Sequence, residues 1–563
     1  MKVIIVGGVA GGATAAARIR RLDEHAEITV FERSGYISYA NCGLPYYIGD
    51  VITDPEELTL QTPESFFKRF RINMKIHHEV ISIHPERKTV SVKNLENGEI
   101  FEENYDKLIL SPGAKPTQPR LPGVGMDKLF TLRTVEDTFR IKEYINKNHP
   151  KSAVLAGGGF IGLELAENLR ELGMDVTIVQ RPKQLMNPFD PDMASMIHNE
   201  MRKHGIKLVL GYTVEGFKEK DNGVEVLLKD NPSLQADMVV LAIGVTPDTA
   251  LAKEAGLELG IKGSIVVNDR METSVPDIYA AGDAVQVKHY VTGDDALISL
   301  AGPANKQGRI IADNICGGDS RYLGSQGSSV IKVFDMTAAT TGINETNAKK
   351  SGLEVDTVIL SPMSHAGYYP GGKVMTMKVV FEKETYRLLG AQIIGYEGVD
   401  KRIDVLATAI HAGLKATQLK DLDLAYAPPY SSAKDPVNMA GFMIDNIAKG
   451  TLKQWHLEDM DKISKDKNVV LLDVRTVGEF NRGHMDGFKN IPVDELRERI
   501  NEIEKGKPVY LICQSGLRSY IASRILEGNG YETYNFSGGF RFYDAVVNDR
   551  ALIERAYACG MDY

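Results

Sequence analysis

Cysteine is scarce in this 563-residue chain: there are four, Cys42, Cys316, Cys513 and Cys559, and no two form a C-x-x-C pair. That usage excludes a disulfide framework and a zinc site legible from spacing, so no metal is expected and any sulfur chemistry uses isolated thiols. No run reaches the ~18–20 apolar residues that a membrane-spanning helix needs. Met1-Lys2-Val3-Ile4-Ile5-Val6 runs straight into glycines with no small-residue cleavage site, and reads as a first strand rather than a secretory leader. Positive charge is not in excess either. The 66 Lys+Arg stand against 75 Asp+Glu, a net charge of −9, which gives no electrostatic case for a nucleic-acid partner or an anionic membrane surface. The expected location is the cytoplasm.

What is present is ordinary globular composition, 43% hydrophobic and 25% charged, so disordered and low-complexity classes are excluded. The length exceeds what one hydrophobic core organises, and several domains follow.

The first thirty residues read strand, glycine turn, helix, strand. Val3 to Val6 precede Gly7-Gly8-Val9-Ala10-Gly11-Gly12, an Ala-rich helix runs to about Leu22, and Ile28 to Phe31 ends on Glu32, followed by Arg33. Glycines at such a turn bring backbone N–H groups and a helix N-terminus up to a pyrophosphate, and an acid ~20 residues on can hold an adenosine ribose. Val9 occupies the usual middle glycine, so this copy is imperfect. The pattern then recurs: Ala153 to Ala156, the full fingerprint Gly157-Gly158-Gly159-Phe160-Ile161-Gly162, a helix to about Leu172, and the strand Val176 to Val179. A third element, Ile278-Tyr279-Ala280-Ala281-Gly282-Asp283, sets an acid after a short apolar strand.

This order resembles the pyridine nucleotide-disulfide oxidoreductases, flavoproteins with two dinucleotide sites. The resemblance implies FAD in the first site, with Gly7, Gly8, Gly11, Gly12, Glu32, Arg33, Gly113 and Asp283 at its contacts. It implies NADH or NADPH in the second, at Gly157, Gly159, Ile161, Gly162, Gln180 and Arg181. After Val179, where an acid selecting NADH would sit, the chain has Gln180, Arg181 and, two residues later, Lys183, so nucleotide preference stays open.

The implied fold is α/β: two Rossmann-like domains, the FAD domain over 1–112 with 245–322 and the NAD(P) domain over 113–244. An α+β dimer-interface domain over 323–449, a linker over 450–465 and a carboxy-terminal domain over 466–563 complete it. That last domain reads strand Val469 to Asp473, Val474-Arg475, a helix near Val477 to Asn481, Gly483-His484, and strand Val509 to Ile512 opening onto Cys513-Gln514-Ser515-Gly516-Leu517-Arg518. These segments resemble a single rhodanese domain.

Cys513 follows a buried strand and opens a loop of N–H groups that feeds a helix, an arrangement suited to a persulfide anion. Arg518 closes the loop, and the short span resembles a pocket sized for sulfane sulfur rather than phosphate. Asp473 and Arg475 read as a structural pair. Cys42, in Ser38-Tyr39-Ala40-Asn41-Cys42-Gly43-Leu44-Pro45-Tyr46-Tyr47, has tyrosine at position 47 where two-cysteine reductases have their second thiol. It works alone, through a sulfenic acid or a mixed disulfide.

Ser364 to Gly371, Ala425 to Tyr430 and the Asn41-Cys42 pair resemble the coenzyme A disulfide reductases over residues 1 to about 447. The resemblance implies a homodimer in which Tyr368 and Tyr426 of the partner subunit approach the redox cysteine. It also implies CoA contacts at Arg18, Arg21, Ser38, Asn41, Asn305 and Lys434, and more loosely at Arg69 and Arg71 beside Lys68. The expected activity is FAD-dependent, NAD(P)H-driven reduction of CoA disulfide, CoA persulfide or polysulfide at Cys42, with Cys513 handling sulfane sulfur. An oxidase or peroxidase cycling Cys42 through sulfenic acid, and a sulfurtransferase or persulfide carrier centred on Cys513, are the alternatives. Cys316 and Cys559 fall in no recognisable loop and are expected to be idle.

Overall fold

The computed structural model describes residues 1–559, with side chains described to residue 555. Its contacts divide it into two compact units, 1–182 with 205–327, and 183–204 with 328 onward.

The first unit holds two five-stranded parallel sheets. In one the order is Ile278–Ala280, Lys107–Leu110, Lys2–Val6, Glu27–Phe31, Asn73–Lys75. In the other it is Leu129–Thr131, Met238–Leu241, Ser152–Ala156, Asp175–Gln180, Lys207–Leu210. Both are Rossmann-like. Their central strands are apolar runs because parallel strands are covered on both faces: Val3, Ile4 and Ile5, and likewise Val154 and Leu155, are almost fully buried. The edge strand Ile278–Ala280 reaches the first sheet from far along the chain and delivers Asp283 just beyond its end. Ligands bind such sheets at the carboxyl ends of the strands, where the glycine loops and Asp283 lie.

The second unit begins with an antiparallel sheet, Ser329–Val333, Met336–Gly342, Leu388–Gly395, Met375–Glu382, Val355–Leu360, on which the helix Val399–His411 packs. The carboxy-terminal sheet is parallel, ordered Gln454–Trp455, Thr533–Phe536, Val509–Ile512, Val470–Asp473, Lys489–Asn490. The polar stretch 450–465, expected to be a linker, contains the edge strand of this sheet. Trp455 is buried there, its indole N–H donating to Leu511 O at 3.2 Å, so one aromatic anchors a segment whose charge reads as solvent-exposed.

The stretch 183–204 leaves the second nucleotide sheet and packs within the second unit. Its helix Pro191–Lys203 buries Met193, Ile197 and Met201. His198 Nδ1 lies 2.8 Å from Asp549 on the last helix, Gly539–Cys559, and its Nε2 accepts the Leu185 N–H, while Arg202 pairs with the other oxygen of Asp549 at 2.5 Å. Asp190 and Asp192 meet the buried Lys378 of the antiparallel sheet. Among the described residues no helix is long and apolar enough to cross a membrane, and no group of three or more His, Cys, Asp or Glu is placed to hold a metal ion. Cys316 is half-buried at the end of the helix Ala301–Ile315, and the Cys559 side chain lies outside the described residues.

Candidate active site

The two glycine loops are built alike. Gly8 N–H donates to Glu32 Oε2 at 2.8 Å, and Gly158 N–H donates to Gln180 Oε1 at 3.0 Å. Each second strand thus returns a side-chain oxygen to its own loop, an acid in the first and an amide in the second. Gly7 and Gly157 have φ of +98° and +122°, and a Cβ there would collide with the carbonyls of Ser111 and Ala242. A Cβ on Gly12 or Gly162 would strike the carbonyl of Gly7 or Gly157, so the two helices start as close to their strands as a dinucleotide turn requires. Gly11, Gly159 and Ile161 sit in the same first turns. These cradles fit a dinucleotide in each half of the unit.

Asp283 lies in the turn Gly282–Ala284 and pairs with Arg133 at 2.5 Å; Gly113, at φ +71°, borders the same guanidinium. Arg33 pairs with Asp248 at 2.8 Å. Arg181 is exposed beside Gln180.

Cys42 lies in the one-turn 3-10 helix Asn41–Gly43, directly before the helix Leu44–Ile48. Ser38, in the left-handed region at φ +45°, ties this segment to the first glycine loop by donating its N–H to Gly8 O at 2.8 Å. Cys42 is solvent-accessible, yet partial burial pushes its thiol up, Glu164 adds to the rise, Arg133 opposes it, and Asp283 adds again. The structure therefore gathers Cys42, Gly113 and Asp283 around Arg133.

Of the expected CoA residues of this unit, Arg18, Arg21 and Asn305 lie on two helices packed together, Ala10–Leu22 and Ala301–Ile315. Arg18 pairs with Asp313 at 2.8 Å, and Thr14 Oγ1 donates to Asn305 Oδ1 at 2.7 Å. Arg21 is exposed, as are Lys68, Arg69 and Arg71 at the end of the helix Pro63–Phe70.

In the second unit Tyr368 and Tyr426 join hydroxyl to hydroxyl at 2.5 Å, and both rings are exposed, Tyr368 to 75%. The hydrogen bond to Tyr368 pushes the Tyr426 phenol up. Lys434 is exposed nearby in sequence.

Cys513 is buried at the end of the strand Val509–Ile512. Its Sγ accepts the Gly516 N–H at 3.1 Å and the Ser519 hydroxyl at 3.2 Å. Gly516, at φ +101°, turns the loop so that its N–H faces back onto the sulfur. Behind the loop, Arg475 grips Asp473 through Nε and NH2, donates to Gly483 O at 2.7 Å, and stacks 3.8 Å over the Phe540 ring. Both members of that pair are buried, as a supporting role requires.

Arg518 makes two 2.7 Å hydrogen bonds to Glu479, a residue the sequence reading passed over. Arg518 and the Thr476 cap hold the Glu479 carboxyl down to about 2. The Thr476-x-x-Glu479 capping box was its available signal. Glu164 and Arg133 were also passed over; an acid within Leu163-Glu164-Leu165-Ala166-Glu167, on an otherwise buried helix face, was the clue to the first.

The chain matches the model of pyridine nucleotide-disulphide oxidoreductases over residues 1–308, that family's dimerisation domain over 328–436, and rhodanese-like domains over 456–545. A coenzyme A disulfide reductase of Staphylococcus aureus is 39% identical over 443 residues, 78% of this chain and 99% of that one. The crystal structure of reduced Bacillus anthracis CoADR-RHD superposes with a TM-score of 0.95 at 48% identity, covering 98% of each chain. A NAD-dependent persulfide reductase from A. fulgidus superposes with a TM-score of 0.90 at 39% identity, covering 96% of this chain and 100% of that one.

Proposed function

The chain belongs to the pyridine nucleotide-disulphide oxidoreductases, and on that premise we propose that it is a FAD-dependent NAD(P)H reductase of CoA disulfide, CoA persulfide or polysulfide, acting through Cys42. The observation that carries the reading is a pair of contrasting lone thiols: Cys42 accessible to a small disulfide, and Cys513 buried beneath two donors aimed at its sulfur. The first suits thiol exchange and the second suits an anionic sulfane sulfur.

Bound FAD would pass two electrons from the nicotinamide to sulfur. Gly7 to Gly12 with Glu32, Arg33, Gly113 and Asp283 would hold it, and Gly157 to Gly162 with Gln180 and Arg181 would hold the nicotinamide dinucleotide. The Cys42 thiolate attacks CoA–S–S–CoA, forming Cys42–S–S–CoA and releasing one CoA thiolate. Two electrons and a proton then cleave the mixed disulfide, restoring Cys42 and releasing the second CoA. The sum is NAD(P)H + H⁺ + CoA–S–S–CoA → NAD(P)⁺ + 2 CoA–SH; with CoA–S–SH the products are CoA–SH and H₂S.

Arg18, Arg21, Ser38, Asn41, Arg69, Arg71, Asn305 and Lys434 are the residues assigned to CoA and its phosphates. In a homodimer, Tyr368 and Tyr426 of the partner subunit would protonate the departing thiolate. Their hydroxyl contact supports this, because one phenol donating to the other positions a second proton for release. Sulfane sulfur held as Cys513–S–SH would pass to a CoA thiolate, and the resulting CoA persulfide would react at Cys42. The domain boundaries given above accompany this reading, supported by the strand Ile278–Ala280 completing the first sheet. The cytoplasm, which keeps thiols reduced, is the fitting compartment.

Anaerobic NADH and NADPH oxidation by the purified protein, with each sulfur acceptor in turn, tests the reading. Rapid turnover that disappears in Cys42→Ser is expected. Turnover with oxygen or peroxide alone would overturn it in favour of a sulfenic acid cycle.

A further inference from the structure

Arg402 carries a buried charge that the proposed chemistry does not use. It sits in the first turn of the helix Val399–His411, with 1% of its surface exposed. Its Nε and Nη2 donate to Asp435 Oδ2 at 3.2 and 3.0 Å. Asp435 is itself fixed, because its Oδ1 accepts the Val437 N–H and caps the helix Pro436–Ala448. Arg402 Nη1 donates to Gly398 O at 3.1 Å, and a Cβ on Gly398, at φ +69°, would collide with that nitrogen. The seat is therefore cut to a guanidinium.

The same side chain meets two separate loops. Nη2 lies 2.9 Å from Ser364 O, 3.3 Å from Tyr430 O and 3.1 Å from Ser431 Oγ. The first loop, 364–373, carries Tyr368 and is pinched shut at its base: Ser364 N–H donates to Lys373 O at 2.7 Å, and Lys373 N–H to Ser364 Oγ at 3.0 Å. The second, 426–431, carries Tyr426 and is closed by the Tyr430 and Ser431 N–H groups donating to Ala427 O at 2.9 and 3.1 Å. Ala366 N–H donates to Ser431 O at 3.0 Å and laces one loop to the other. Ser364, Ser431, Arg402 and Asp435 are all buried, whereas the Tyr368 and Tyr426 rings are exposed and meet hydroxyl to hydroxyl. Exposed rings have little packing of their own, so the geometry of that meeting is set by the buried bases of the loops.

We propose that Arg402 is the positioning residue of the tyrosine pair: one guanidinium, seated by Asp435 and Gly398, fixes both loop bases so that the two phenols present themselves as a single proton donor. The inference rests on the assignment of Tyr368 and Tyr426 to thiolate protonation in the proposed function. The task requires a planar fork. A lysine would keep a charge opposite Asp435, but its single nitrogen cannot also span Gly398 O and the carbonyls of two loops.

The test places 3-fluorotyrosine at position 426 of the FAD-loaded full-length protein and follows its titration by fluorine NMR, with Arg402 intact, in Arg402→Lys and in Tyr368→Phe. With Arg402 intact, the hydrogen bond to Tyr368 holds the phenol up, and Tyr368→Phe should lower it. Arg402→Lys should bring it to the value of Tyr368→Phe. In the unlabelled protein, kcat for CoA disulfide should fall by about tenfold to a hundredfold in Arg402→Lys, with no further loss when Arg402→Lys is added to Tyr426→Phe. A titration untouched by Arg402→Lys would overturn the proposal, as would losses that add to those of Tyr426→Phe, the result a merely structural role gives. Should Arg402→Lys not fold, Gly398→Ala, whose Cβ crowds Nη1 while both members of the ion pair remain, is read in the same way. Because the titration needs no CoA, a shifted phenol in a protein that fails to reduce CoA disulfide would overturn the proposed substrate and leave the positioning intact.

Discussion

Arg518 gives both terminal guanidinium nitrogens to Glu479, each at 2.7 Å. The same carboxylate accepts the Thr476 N–H at 3.0 Å and its hydroxyl at 2.8 Å. One side chain therefore caps the helix Val477–Arg482 and fixes the arginine that closes the sulfur loop. A bidentate, charge-assisted pair of this kind orients as well as attracts.

Glu479→Gln should lower transfer of sulfur from thiosulfate to cyanide by about tenfold, the loss of roughly one charge-assisted hydrogen bond, and leave NAD(P)H-driven reduction of CoA disulfide unchanged. The depressed carboxyl also fixes a pH dependence. Its contribution is complete above the ordinary value of 4.5 and is lost only as pH falls through about 2. Between pH 5 and 8 sulfur transfer should show no step belonging to Glu479. Equal loss of both activities in the variant would place Glu479 elsewhere in the mechanism.

His456 behaves in the opposite sense. It lies 3.1 Å from Asp356, joining the start of the carboxy-terminal sheet to the strand Val355–Leu360. Burial disfavours its charge, but the hydrogen bond and attraction to Asp356 outweigh burial and raise its proton affinity. Asp356 is lowered in turn, burial notwithstanding. The histidine contribution is full below about 6.5 and fades as pH rises through its raised folded value. The aspartate contribution is full above about 3.9 and fades as pH falls through its lowered one. The Tm lost in His456→Asn should accordingly be larger at pH 6 than at pH 9; an equal loss at both would remove the ion pair from the stability of the domain.

Gln180 spends its oxygen on the Gly158 N–H, leaving its amide N–H₂ group as what it can offer a ribose. A donor beside the exposed Arg181 favours a 2′-phosphate over a free diol. Gln180→Glu should shift the NADH-to-NADPH ratio of kcat/KM toward NADH by roughly tenfold, the effect of placing an acid at that strand end. A ratio unchanged by both Gln180→Glu and Arg181→Ala would move nucleotide selection to other residues.

Much of this architecture is written locally. Both glycine loops, the Asp283 turn and the Cys513 loop each occupy a few consecutive residues, so their chemistry reads directly from order and spacing. The Asp473–Arg475 pair is equally local. Glu164 is different: the acid stands out on an otherwise buried helix face, but its influence on the Cys42 thiol belongs to the fold, in which the helix Leu44–Ile48 packs on the helix Phe160–Glu171 more than a hundred residues along the chain. Arg133 likewise gains meaning only from Asp283, 150 residues away. The stretch 450–465 misleads because its charged residues outnumber the one tryptophan that anchors it. The excursion of 183–204 is silent in sequence, since an amphipathic helix looks the same whichever sheet it covers.

That excursion bears on how the protein can be divided. Asp549 satisfies both a buried imidazole and the guanidinium of Arg202 on a helix lodged between strands of the nucleotide fold's own sequence. The sulfur-handling domain is thus grafted into its host rather than appended to it. Cutting the gene after residue 450 would remove Asp549 from His198 and Arg202 and the last helix from the helix Pro191–Lys203 on which it packs. Modularity that looks complete along the chain is, in three dimensions, a shared foundation.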